Sequence, residues 1–151
     1  IAAEWQWENT LNVSWPVAEG PTVLKKDGLY YLIYSANDFR NPEYAVGYAT
    51  STSPLGPWKK STTSPIISRN LIGENGPGHG DLFLDKDNQW QYVLHTHFSG
   101  TSEAPRKAAI IEMNFVEKDQ ELQLQAKKEL KLFKRHLGWI PQFGVVILTM
   151  F

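Results

Sequence analysis

The second half of this chain repeats the first. A shift of 60 positions lays Gly80 on Gly20, Leu84 on Leu24, Lys86 on Lys26 and Asp87 on Asp27. The run Tyr30-Tyr31-Leu32-Ile33-Tyr34 meets Trp90-Gln91-Tyr92-Val93-Leu94, and the segments around Ala49 and Ala109 align without a gap. Identity between the halves is low, but the order of motifs is shared. A period of this length describes one supersecondary unit that stacks on its neighbour.

Each unit reads as short strands. Val23–Lys25 runs into Lys26-Asp27-Gly28, where Asp-Gly supplies residues that tolerate positive φ in a hairpin turn, and Leu29–Ser35 follows. Tyr44–Ser51 is a third strand, Pro54-Leu55-Gly56-Pro57 a turn, and Pro65-Ile66-Ile67 a short last strand. In the second unit Leu82–Leu84, the turn Asp85–Asn88 and Trp90–His97 form a hairpin, followed by Ala108–Phe115 and Glu121–Gln125. Short strands with regular turn signals indicate an all-β fold. Four short strands per repeat indicate a propeller blade, here two blades at residues 18–67 and 78–125. Tyr30, Tyr31, Tyr34, Tyr48 and Trp90 read as blade core, and Trp58 as a packing anchor after its turn.

In a propeller the first strand of each blade lines the central channel. The offset makes Glu19 and His79 equivalent, so both open an innermost strand at the same end of that channel. The second strand returns to that end, bringing Ser35–Asn37 and His95–His97 with it. The third strand starts there, which places Tyr44 and Arg106 on the rim.

Residues 1–125 are thus expected to form a partial propeller, and the ends depart from it. Ile1–Val17 carries Trp5, Trp7 and Trp15 and is expected to supply the outer strand of a preceding blade. From Ala126 the pattern changes into an atypical tail, 126–151. Lys127–Arg135 is basic and reads as a helix, while Pro141–Phe151 is uncharged and an aggregation hazard if exposed.

Composition narrows the function. Lys and Arg number 15 against 16 Asp and Glu, a net charge of −1 that argues against a nucleic-acid surface. The 6 Trp, 6 Tyr and 7 Phe suit β-structure and sugar stacking alike. With no Cys there are no disulfides, thiolate metal sites or Cys nucleophiles. The longest apolar stretch, Phe143–Phe151, falls short of the ~20 residues of a membrane span, and no membrane partner is expected. The first residue is Ile1, so the chain is expected to begin inside a longer protein or after processing. The compartment stays open.

Three residues carry candidate chemistry. Glu19 precedes Gly20-Pro21, which fixes its carboxylate at the strand mouth. A lone turn glutamate is by default solvated; the repeat points this one into a channel, where a carboxyl suits general-acid work. His79 lies in Gly76-Pro77-Gly78-His79-Gly80, with room for an ion to approach. One His is far from a zinc site, so it is either a turn histidine or a single ligand of a water-rich hard ion such as Ca²⁺. Arg106 is by default a surface arginine, and its rim position makes it a candidate clamp for sugar hydroxyls or a carboxylate. His95 and His97, alternating on a strand, read as hydrogen-bonded rim residues. Asp85–Asn88 lacks the ligand spacing of a calcium loop, no helix pattern follows Gly80 as a dinucleotide loop requires, and no Gly-x-Ser-x-Gly elbow occurs.

Glu19-Gly20-Pro21, Gly28–Asn37, Tyr44–Trp58 and Gly78-His79-Gly80, taken in order, resemble glycoside hydrolase family 43. The likeness covers about residues 15–125. It implies a five-bladed β-propeller and the activity of a β-xylosidase, α-L-arabinofuranosidase or arabinanase on oligosaccharide or polysaccharide substrates, with inversion at the anomeric carbon. It also implies that Glu19 is the general acid, that His79 with waters holds a calcium-like ion, and, more loosely, that Arg106 binds substrate. The family's base aspartate and the aspartate that tunes the acid belong to earlier blades, expected upstream of Ile1. A C-terminal piece of this kind, inactive alone and prone to associate through open blade edges, is the expectation. The alternative is a carbohydrate-binding or structural propeller fragment without chemistry.

Overall fold

A computed structural model describes residues 1–133. It contains two four-stranded antiparallel sheets. The first runs β1 (Ala18–Lys26), β2 (Leu29–Ala36), β3 (Ala45–Ser51) and β4 (Lys59–Lys60), each strand paired with the next. The second runs β5 (Gly78–Leu84), β6 (Trp90–Thr96), β7 (Lys107–Lys118) and β8 (Glu121–Leu132) in the same order. A four-residue helix, α1 (Arg69–Ile72), lies between them in sequence. Among the described residues no helix is long and apolar enough to cross a membrane.

The hairpins form where the turn residues require. Lys26 pairs with Leu29, and Asp27 and Gly28 both take positive φ, +48° and +85°. In the second sheet Leu84 pairs with Trp90 around Asn88 at φ +56°.

The sheets bury their facing sides against each other. Tyr31, Ile33, Val46, Tyr48 and Ile67 of the first unit pack with Tyr92, Leu94, Ile111, Met113 and Leu124 of the second. Two phenols tie the layers: Tyr31 donates to the Leu122 carbonyl at 2.9 Å, and Tyr48 accepts from the Leu124 amide at 3.3 Å. The inner edges also meet, since Thr22 Oγ1 on β1 donates to Asp81 Oδ1 on β5 at 2.6 Å.

Three sequence expectations are corrected. Residues 1–17 contribute no strand. A 3₁₀ turn at Gln6–Glu8 forms instead, because the buried Glu8 carboxylate gathers the Glu4 and Trp5 amides (2.6 and 2.7 Å), the Tyr34 phenol (2.5 Å) and Lys60 Nζ (2.7 Å). The fourth strand of the first sheet is Lys59–Lys60, not Pro65–Ile67. Ile66 and Ile67 are drawn into the core, leaving only an isolated bridge between Val46 and Ile67. Lys127–Leu132 is strand and not helix, so the second sheet continues past Gln125. Pairing with β7 outweighs local helix preference here, Leu130 lying opposite Ile111 and Lys127 Nζ pairing with Glu112 at 2.6 Å. Lys134, Arg135 and the apolar run Pro141–Phe151 lie outside the described residues.

Candidate active site

Glu19 and His79 do meet. Both sit next to an irregularity in the ladder, between Glu19 and Thr22 in β1 and between Gly78 and Asp81 in β5. Such bulges re-aim side chains at a strand end. Gly20 takes φ +58° and His79 φ +47°, an uncommon region for a residue with a Cβ. The His79 amide is held there by Ser35 Oγ at 2.8 Å. His79 Nδ1 consequently lies 3.9 Å from Glu19 Oε1, across the boundary between the sheets.

Tyr44 completes the surroundings of Glu19. Its phenol donates to Glu19 Oε1 at 2.8 Å, while its ring is fully buried. The strand registers dictate this meeting. Glu19 pairs with Ser35 and Ala36 with Ala45, so the residue before β3 arrives beside the start of β1. Gly78 makes room, because a Cβ there would collide with the Tyr44 ring. Burial, then the hydrogen bond to Glu19, pushes the phenol far above its ordinary range, so Tyr44 remains a donor. The sequence placed Tyr44 on the rim without a role. The signal that could have found it was its place one residue ahead of a strand that ends the same blade face.

The Tyr44 ring stacks on His95 at 6.2 Å between centroids and 4° between planes, and His95 stacks on His79 at 6.1 Å and 26°. Arg106 Nη1 lies 2.7 Å from His95 Nε2, so the third predicted site residue joins the cluster through an intermediate ring. Burial, then the positive charge of Arg106, depresses His95 to about 4, and the ring is neutral near neutrality. His97 faces the Phe39 carbonyl at 2.8 Å. Both histidines are therefore hydrogen-bonded, as rim residues should be.

The described residues hold no group of three or more His, Cys, Asp or Glu able to grip a metal. His79 offers one nitrogen, and its neighbour Glu19 is already bonded to Tyr44. This chain alone offers an ion one protein nitrogen, so any further ligands would have to be water.

The model of glycosyl hydrolases family 43 matches residues 2–120. The chain belongs to this family. Its sheets are two blades of a partial β-propeller. Among solved structures, an endo-1,4-β-xylanase from Bacteroides thetaiotaomicron is 41% identical with a TM-score of 0.75, over 87% of this chain and 43% of that one. A β-D-galactofuranosidase of Aspergillus niger is 32% identical over 66% of this chain and 29% of its own length. A xylosidase/arabinosidase of Butyrivibrio fibrisolvens is 33% identical over 58% and 17%. The chain thus spans less than half the length of each of these relatives.

Proposed function

We propose that this family-43 chain carries the acid side of an inverting glycosidase site. The substrates would be O-glycosidic bonds of xylan- or arabinan-type polysaccharides or their oligosaccharides. The observation that carries the reading is Glu19 at the opening of β1, bonded through one oxygen only to Tyr44. The xylanase and xylosidase/arabinosidase names of the relatives support the substrate class.

With Oε1 accepting from Tyr44, the transferable proton of a protonated Glu19 sits on Oε2. The carboxyl side chain is 34% exposed, which leaves that oxygen within reach of a sugar. Oε2–H gives its proton to the glycosidic oxygen as the bond to the anomeric carbon breaks. Water attacks the opposite face of the sugar, and a carboxylate base ~6.5–9.5 Å from the acid takes its proton. Arg106 would hold sugar hydroxyls from the rim. His79 would line the channel and serve as at most one ligand of a hydrated Ca²⁺; no step depends on that ion.

Among the described residues no second carboxylate is hydrogen-bonded into this cluster. The base must come from elsewhere, and residues 1–151 alone are proposed to be inactive. The test combines this chain with the part of the Bacteroides enzyme that the match leaves uncovered. Glu19→Gln should lower turnover ~10²–10⁴-fold on substrates with alkoxide leaving groups and much less on aryl glycosides with acidic phenols. Equal losses on both would show that Glu19 positions the sugar without donating a proton.

A further inference from the structure

We propose that His95 is a positioning residue that fixes the guanidinium of Arg106 at the mouth of the site in a single orientation. The consequence for sugar binding rests on the reading of Arg106 as a substrate ligand; the positioning itself does not.

The chemistry of the pair allows one arrangement. A guanidinium has donors and no acceptor, so His95 Nε2, 2.7 Å from Arg106 Nη1, must present its lone pair. The ring proton then sits on Nδ1, an atom that is buried and without a protein partner. A neutral ring is what burial beside Arg106 favours. The ring cannot turn freely, because Tyr44 lies parallel to one side of it and His79 stacks against it as well.

The guanidinium also meets an aromatic ring. Arg106 Cζ lies 5.2 Å from the centroid of the Phe39 ring. The Phe39 carbonyl is in turn within 2.8 Å of His97 Nε2, which must carry a proton to donate to it. The two histidines therefore have opposite tautomers, Nδ1–H at His95 and Nε2–H at His97; His95 bonds Arg106 directly, and His97 holds the backbone of Phe39, whose ring meets the guanidinium. Among the described residues no carboxylate forms an ion pair with Arg106, so its remaining N–H donors are available to a ligand. An arginine fixed before a sugar arrives loses less side-chain freedom on binding, which strengthens the contact without adding one.

Long-range ¹H–¹⁵N spectra of the labelled 151-residue chain read the tautomers directly. We expect Nδ1–H at His95, Nε2–H at His97, and slower exchange of the Arg106 side-chain protons than of those of a free arginine. His95→Gln, whose carbonyl can accept the same bond, should keep the slow exchange, and His95→Leu should lose it. An Nε2–H tautomer at His95, or unchanged Arg106 exchange in His95→Leu, overturns the proposal. If His95→Leu does not fold, the wild-type tautomers and His95→Gln decide. In the combined enzyme, His95→Leu should raise KM about tenfold, the size of one hydrogen bond to a charged group. Arg106→Met should do the same, and the double variant should be no worse than Arg106→Met. Additive losses overturn the proposal. An unchanged KM in Arg106→Met rejects Arg106 as a sugar ligand, and the spectra then judge the positioning alone.

Discussion

The phenol of Tyr44 and the carboxylate of Glu19 are joined at 2.8 Å although 25 residues separate them in the chain. The contact gives the carboxylate a defined face. One oxygen is engaged from within the fold, and the other accepts no hydrogen bond among the described residues. Tyr44→Phe should remove about 1 kcal/mol of stability, as one hydrogen bond is lost while the exposed Glu19 regains water. Urea unfolding measures this. Turnover in the combined enzyme should fall roughly tenfold with KM little changed, because the acid loses its orientation and the sugar contacts remain.

Gly78→Ala should be worse than Tyr44→Phe. The new Cβ collides with the Tyr44 ring, and the ring is fully buried between β3 and β5. Overpacking of this kind costs typically about 1–3 kcal/mol. The displaced phenol also leaves Glu19. The expected outcome is a lower urea midpoint together with at least the turnover loss of Tyr44→Phe. The double variant Gly78→Ala/Tyr44→Ala should recover stability relative to Tyr44→Ala plus the cost of Gly78→Ala, because the obstructing ring is gone.

Acid should unfasten the N-terminal segment. Burial alone would raise the Glu8 carboxyl, but Lys60, the Trp5 and Glu4 amides and the Tyr34 phenol outweigh it, and the net shift is downward from 4.5. A carboxyl with a lowered folded value contributes stability that is present above its unfolded value and lost as pH falls through the folded one. Stability should therefore decline as pH drops below about 4.5, with loss of Trp5 and Trp7 fluorescence shifts accompanying it. Lys60→Met at neutral pH leaves a buried carboxylate unpaired and should cost about 3–5 kcal/mol. A flat pH profile in wild type between 5 and 3 would contradict this account.

The chain alone should release no product from aryl xyloside or aryl arabinofuranoside above buffer. It should also self-associate, because Trp15 is 86% and Leu11 71% exposed on one stretch, and exposed apolar surface drives association. Sedimentation velocity should show a mass that rises with concentration. Turnover that vanishes in Glu19→Gln would mean that the base comes from another residue of this chain or from a second copy of it.

The sequence by itself determined the two-unit plan, the hairpins at Asp27-Gly28 and Asp85–Asn88, and the equivalence of Glu19 and His79. These rest on local signals: short strand runs, turn residues that accept positive φ, and a repeat that carries one blade's geometry onto the next. Tertiary structure alone decided the rest. Glu8 is capped by Lys60 from 52 residues away, so a segment that looked like a strand curls into a turn. The basic run after Ala126 extends β8 because β7 offers it a partner. Tyr44 reached Glu19 through the register of three strands in one blade, and its ring met His95 only when the two blades packed, since both depend on long-range register that no short stretch of sequence encodes.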